Sequence, residues 1–199
     1  MLNVDADEDA ELMQRVASGD RAAFGALFDR HQASVCRFAR RFVGDGGRAE
    51  ELAQDIFVKL YRSAKSYRPS AKFKTFLFRV ATNHCLNEVR RGEYRMPHIS
   101  DGQGEAETDA TAAQAVQPDQ ALHGKELEAA VGAALSGMTE RERAAFTMCR
   151  FEGMAYREIA EALSASEAAV KSLIHRATLA VADRIEELQA GLSPARSRA

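Results

Sequence analysis

The chain has 199 residues, 46% hydrophobic and 28% charged, with a formal net charge of −2. That is enough for one medium domain or two small ones with a real core, and no apolar run approaches the ~20 residues a bilayer span needs. The acidic start, MLNVDADEDAEL, lacks the basic-then-apolar order of a secretory signal, and three well-separated cysteines (Cys36, Cys85, Cys149) fit reduced, packed thiols in a cytoplasmic protein.

In chain order, residues 1–8 are acidic and read as disordered. A helical pattern follows with Leu12, Met13 and Val16, and Ser18-Gly19-Asp20 ends it, placing Asp20 as N-cap of the next helix. Apolar positions 24, 27, 28, 31, 35, 38 and 42 keep the helical period until Gly44-Asp45-Gly46-Gly47 stops it. A third helix spans about 48–63, with Leu52, Ala53, Ile56, Phe57 and Leu60 inward. Its other side shows Glu50, Glu51, Gln54, Asp55 and Lys59, which serve equally as solvent coating or as a docking face for a protein. Residues 66–70, SYRPS, form a basic, aromatic loop, and Pro69 discourages helix at Arg68.

The stretch 72–91, KFKTFLFRVATNHCLNEVRR, organises the rest. At about 100° per residue, Phe73, Leu77, Val80, Ala81 and His84 share one face. Lys72, Arg79, Asn83, Asn87 and Arg90 fall within about 80° of each other on another, with Phe76 on its shoulder. Cations suit phosphate, amides suit base edges, and an exposed ring suits stacking on an unpaired base. From residue 62 to 95 there are nine Lys/Arg against two acids, so the small net charge conceals a strongly basic segment.

Residues 96–121 change character. Gly, Gln, Asp, Glu, Thr, Ala and two prolines dominate, which predicts a flexible, acidic tether. Helical patterning returns over 122–135. Thr139 and Glu142 have capping-box spacing, opening a helix that reaches about Phe151 before Gly153 breaks it. Two further helices, about 156–163 and 166–188, flank a tight Ser164-Ala165-Ser166 turn, so they must cross steeply. Ile159, Ala160, Leu163, Val170 and Ile174 then fill the inner positions of a helix-turn-helix. Lys171, Ser172, His175 and Arg176 face outward, where they could reach bases or phosphates of a major groove. Residues 139–184 hold seven basic and seven acidic side chains, so this unit alone should bind DNA weakly. The expected fold is all-α: two small helical domains joined by a flexible acidic linker, the second containing the helix-turn-helix.

Catalysis finds no foothold here. Gly44-Asp45-Gly46-Gly47 is followed by no Gly-Lys-Ser/Thr, so it is no phosphate-binding P-loop. His84 and Cys85 are adjacent, hence about 100° apart on a helix, and His31 and Cys36 are five apart, so neither pair shares a ligand face. The reading calls for no catalytic residue, no metal and no cofactor.

Three segments resemble region two of bacterial sigma factors: AFGALFDRH (23–31), GDGGRAEELAQDIFVKLY (44–61) and FKTFLFRVATNHCLNEVRR (73–91). Residues 138–185, MTERERAAFTMCRFEGMAYREIAEALSASEAAVKSLIHRATLAVADRI, resemble region four. With only a short linker between, the chain is identified as a member of the extracytoplasmic-function (ECF) sigma factors. The resemblance implies a region-two domain over 1–95, a linker over 96–121, a region-four domain over 122–190 and a tail over 191–199. It implies that Glu50, Glu51, Gln54 and Asp55 dock on core RNA polymerase. Tyr67, Arg68, Lys72, Phe76, Arg79, Asn83, Asn87 and Arg90 would melt and capture single-stranded −10 promoter DNA. Ser166, Lys171, Ser172, His175 and Arg176 would read the −35 duplex. It further implies an anti-sigma factor as partner, and no membrane insertion. Departures from the family pattern are Phe76 for a common Trp, Ala168-Ala169 for Gly-Thr, and Leu173 for a frequent Arg, so promoter sequence does not carry over. The rival readings are a sigma-like decoy for an anti-sigma factor and a stand-alone helix-turn-helix regulator.

Overall fold

A computed structural model describes residues 7–44, 46–92 and 118–192, and among these every regular element is helical. The order is α1 (Glu8–Ala17), α2 (Arg21–Val43), α3 (Gly46–Ser63), a 3-10 turn (Ala64–Ser66), α4 (Phe73–Arg91), α5 (Pro118–Gly137), α6 (Glu140–Arg150), α7 (Tyr156–Leu163) and α8 (Glu167–Leu192). No helix of the described residues is long and apolar enough to cross a membrane.

The first unit, α1–α4, forms where the apolar spacing dictates. Met13, Leu27, Val35, Phe38, Phe42, Leu52, Ile56, Leu60, Phe73, Leu77 and Phe78 are buried together, each burial stabilising by about 1.5–3 kcal/mol. Asp20 caps α2 as expected, its carboxylate accepting the Ala23 N–H at 3.0 Å. Gly44 closes α2 at φ 76°, a left-handed turn that glycine adopts without strain.

The amino end departs from expectation. Asp7 and Glu8 are ordered rather than part of a disordered acidic start: Glu8 opens α1, and the Asp7 carboxylate accepts the Phe73 N–H at the start of α4. The residue in the N-cap position of α4, Lys72, has no acceptor to offer, so a distant carboxylate does that work. Asp9 in turn pairs with Arg30 and sits 2.7 Å from His31 Nε2, tying α1 to α2.

The helix α4 is the hub. Phe73, Leu77, Ala81 and His84 are buried as their spacing predicts, while Val80 is only half-buried. Thr75, Phe78, Thr82, Cys85 and Glu88 are buried as well, so α4 packs on much more of its circumference than one face.

In the second unit, α6, α7 and α8 pack around Met148, Ile159, Val170 and Ile174, and α5 lies along α8. Thr139 and Glu142 form the anticipated reciprocal cap of α6. Two boundaries move: α5 begins at Pro118, inside the stretch read as tether, and α8 runs to Leu192 rather than about 188. The remainder of the tether, through residue 117, and the tail from 193 lie outside the described residues.

Although the sequence reads as two separable units, they are in contact. α4 packs on α7 and α2 on α6, and one continuous apolar cluster runs from Ala10 in α1 to Ile174 in α8.

Candidate nucleic-acid interface

On α4 the polar stripe stands where periodicity puts it. Lys72, Arg79, Asn83, Asn87 and Arg90 are all exposed. Neither amide of Asn83 or Asn87 is engaged in a hydrogen bond among the described residues, so both remain available to a ligand. Phe76 is half-buried, with the Arg79 guanidinium 5.3 Å from its ring centre. Arg68, Ser70, Ala71, Thr75, Phe76 and Arg79 line a cavity of about 380 Å³, and Glu161 from α7 completes its wall. Arg68 is held there by donating to the carbonyl of Tyr67 at 3.0 Å.

One expected member of this surface is elsewhere. Tyr67 is 5% exposed, its ring 4.9 Å from Phe76 and 6.3 Å from Phe73. Its hydroxyl is buried with no hydrogen-bond partner among the described residues. Burial foremost, then the nearby carboxylates of Asp7 and Asp9, push the phenol pKa up to about 12. Tyr67 therefore backs Phe76 from within rather than offering a second stacking face. An aromatic in a basic loop looks exposed by sequence, and only the three-dimensional course of the loop turns it inward.

On α3, Glu50, Glu51, Gln54 and Asp55 are exposed side by side. Beside them runs an open apolar groove of about 670 Å³, lined by Phe24, Phe28, Phe57, Val58 and Tyr61, with Arg21 and Arg62 at its edges. The helical period had assigned Phe24 and Phe28 to the core and missed this groove. The available signal was the width of the α3 apolar arc: Phe57, Val58 and Tyr61 cannot all face one core, and Val58 and Tyr61 are in fact exposed.

In the second unit, Ile159, Ala160, Leu163, Val170 and Ile174 are all buried, as a helix-turn-helix requires. Ser164 takes the left-handed conformation at φ 49° to make the steep crossing. Ser166 is exposed, and its Oγ accepts the Ala169 N–H at 3.2 Å at the start of α8. Lys171, Ser172, His175 and Arg176 are exposed along that helix, while Leu173 joins the core at 9% exposure. Arg176 Nε donates to Glu142 Oε1 at 2.6 Å. Burial works to raise the Glu142 pKa, but the bonds from Arg176 and Thr139 outweigh it and hold the carboxyl below its usual range. Sequence reasoning gave Glu142 only its capping role and missed this second one.

No group of three or more His, Cys, Asp or Glu side chains among the described residues has metal-binding geometry. Cys36, Cys85 and Cys149 form no disulfide among the described residues, and burial raises the Cys85 pKa strongly.

A helix-turn-helix with Lys171, His175 and Arg176 on its outward face, packed beside a helical unit carrying an amide-and-cation stripe, is the arrangement of a DNA-directed protein. Comparison with known proteins sharpens this. The family model for sigma-70 region 2 matches residues 27–94, and that for sigma-70 region 4 matches 128–181. The RNA polymerase sigma-H factor of Pseudomonas aeruginosa is 33% identical over 187 residues, covering 92% of this chain and 96% of that one. The ECF RNA polymerase sigma-E factor of Escherichia coli K12 is 30% identical over 183 residues, 90% and 95% of the two chains. Among solved structures, CnrH in complex with the cytosolic domain of CnrY has TM-score 0.68 at 24% identity, covering 91% of this chain and 99% of that chain. The sigma factor RpoE with the anti-sigma factor NepR, from Bartonella quintana, has TM-score 0.59 at 21% identity, covering 82% and 96%. This chain belongs to the sigma-70 family, in its extracytoplasmic-function branch, and is a transcription initiation factor.

Proposed function

We propose that this sigma factor divides its labour among three surfaces. The exposed acids and amide of α3 (Glu50, Glu51, Gln54, Asp55) dock on core RNA polymerase. The outward side of α8 (Ser166, Lys171, Ser172, His175, Arg176) enters the major groove of the −35 element. The α4 stripe and its adjoining cavity (Arg68, Lys72, Phe76, Arg79, Asn83, Asn87, Arg90) trap bases of the opened −10 element. In domain terms, residues 1–95 carry docking and −10 recognition, and 122–190, extended back to Pro118, carry −35 recognition. Residues up to 117 connect them, and the tail follows.

The observation that carries this reading is the exposed pair Asn83 and Asn87 beside Phe76 and Arg79. A base that leaves the helix loses its stacking and pairing, and a site that captures it must replace both. Phe76 supplies a ring face, the amides supply donors and acceptors to a base edge, and Lys72, Arg79 and Arg90 neutralise phosphate. The chain acts in the cytoplasm without catalytic chemistry of its own, since the polymerase forms the phosphodiester bonds. An anti-sigma factor as regulator accords with the neighbours solved with such partners.

Run-off transcription with purified core polymerase on a promoter library tests the proposal. Asn83→Ala or Asn87→Ala should reduce open-complex yield by the equivalent of ~1–3 kcal/mol, the size of a good base contact, with polymerase affinity unchanged. Normal open-complex yield from both variants overturns the assignment.

A further inference from the structure

We propose that the cavity between α4 and α7 binds a free guanine mononucleotide, its phosphate on Arg68 and Arg79, its ring on Phe76 and its base edge on Glu161. The site shares Phe76 and Arg79 with the −10 reading and rests on that reading only in taking Phe76 as a stacking face. The cavity measures about 380 Å³, at the small end of the roughly 300–1,000 Å³ of small-molecule sites. Its wall comes from three places in the chain. Arg68, Ser70 and Ala71 belong to the loop before α4, Thr75, Phe76 and Arg79 to α4 itself, and Glu161 to α7.

None of the charges in this wall is paired with another. Arg68 donates to the carbonyls of Lys65 and Tyr67, and Arg79 lies 5.3 Å from the Phe76 ring centre. The Glu161 carboxylate has no hydrogen bond or ion pair among the described residues. Two guanidiniums and a carboxylate that share a cavity without meeting leave a gap with a cationic side and an acceptor side. Thr75 also lines it, 4% exposed, with its hydroxyl unbonded among the described residues. A buried hydroxyl without a partner is costly, and one that lines a cavity can find its partner in a ligand.

These groups are demanding together. A plain anion satisfies the arginines and the hydroxyls of Ser70 and Thr75 but sets a second negative charge before Glu161. A cation satisfies Glu161 and is repelled by the arginines. The complement is a molecule with an anion at one end, N–H donors at the other and a flat face between for Phe76, which Tyr67 backs at 4.9 Å. A nucleoside monophosphate has this order. Among the four common bases only guanine sets two adjacent N–H donors on one edge, N1–H and the N2 amino group, for a carboxylate to accept side by side. Adenine and cytosine put an acceptor nitrogen beside their single amino group, lone pair against lone pair with Glu161. Because the ligand takes contacts from both units, it stabilises their docked arrangement by mass action. Because it covers Phe76 and Arg79, it competes with single-stranded DNA.

The test uses the full chain and titration calorimetry with GMP, AMP, CMP and UMP. Thymine-run single-stranded DNA with and without one central guanine supplies the same chemistry from the other source. GMP should bind saturably and about tenfold more tightly than AMP, the size of one charge-assisted hydrogen bond. Glu161→Gln offers an amide that donates as well as accepts, so the preference for GMP over AMP should fall below about twofold. Arg79→Ala should weaken GMP and AMP alike. Both positions are exposed, so both variants should keep the wild-type melting curve. Glu186→Gln, an exposed α8 position with the same charge change, should bind as wild type. No saturable GMP binding below ~1 mM, equal affinity for GMP and AMP, or a preference that survives Glu161→Gln overturns the site. Guanine-dependent binding confined to the oligonucleotide overturns the free ligand. Open-complex yield from Asn83→Ala and Asn87→Ala is independent of all these outcomes, so failure of this site and failure of the −10 assignment are read separately.

Discussion

Replacing Arg143 by Met should destabilise the protein by about 3 kcal/mol, a figure that follows from what the side chain holds. Arg143 is 5% exposed, yet among the described residues no carboxylate bonds to its guanidinium. Its fork instead collects backbone carbonyls around the end of α5: Leu135 O at 2.8 Å, Met138 O at 3.2 Å and Ser136 O at 3.4 Å, with Phe42 O across the unit boundary at 3.3 Å. Burial pulls its pKa below the ordinary arginine value, with Glu140 opposing. Methionine keeps much of the volume but takes the guanidinium donors from these carbonyls, of which Leu135 O retains only the Met138 N–H at 3.3 Å. The two shorter bonds dominate, and each buried acceptor left unpaired costs about 1–3 kcal/mol. Release of the cation from its desolvated position recovers part of the loss. At roughly 2–4 °C per kcal/mol for a chain of this size, Tm should fall by about 6–12 °C. Thermal unfolding followed by circular dichroism reads the shift, and urea titration with an unchanged slope confirms that stability rather than compactness changed. Arg143→Lys should lie between, because an ammonium cannot span the fork. A Tm change under ~2 °C for the methionine variant would refute the argument.

Other substitutions separate structure from recognition. Arg176→Ala loses an ion pair whose arginine is 57% exposed, so stability should change by under ~1 kcal/mol. Its −35 duplex recognition within the polymerase holoenzyme should weaken by ~1–3 kcal/mol, and an unaltered promoter preference would count against a base contact. His84 is buried 3.6 Å from Asp55 and 3.7 Å from Glu88, yet burial first, then Lys59, outweigh Asp55 and lower its pKa. A folded pKa below the unfolded one means stability is full above about 6.5 and declines as pH falls through the folded value; in His84→Gln this decline should vanish from melts across that window. Tyr67→Phe removes a buried hydroxyl without a partner, so stability should hold or rise by up to ~1 kcal/mol. A clear loss in melting would show that the hydroxyl is bonded in solution.

Features set by neighbours along the chain were legible in the sequence. The period of α2, the Asp20 cap, the Thr139/Glu142 box and the inner positions of the helix-turn-helix all depend on residues within a few turns of each other. The exposed stripe of α4 belongs with them. Features set by distant segments were not legible. Nothing near Asp7 announces that it will cap α4, and nothing near Tyr67 announces that Phe73 and Phe76 will cover it. Besides the wide apolar arc of α3, α5 left a local clue that went unread, since proline is favoured in the first turn of a helix and Pro118 stands there. The docking of the second unit on the first depends on polar pairs such as Ser34 and Glu152, 118 positions apart.

The even charge of residues 139–184 now has a physical account. Its acids are not scattered diluents of a DNA-binding surface. Glu142 holds Arg176, Glu152 bonds Ser34 and Lys74, Glu158 pairs with Lys72, and Glu161 closes the cavity beside Arg79. These contacts differ in how they answer to salt. Lys72 is 70% exposed, so its pair is screened within about a Debye length, ~10 Å at 0.1 M. Glu152 is buried at 5% exposure, but its cation Lys74 is 40% exposed, so this pair is partly screened as well. Raising ionic strength therefore frees these cations for phosphate at the very conditions that weaken phosphate binding.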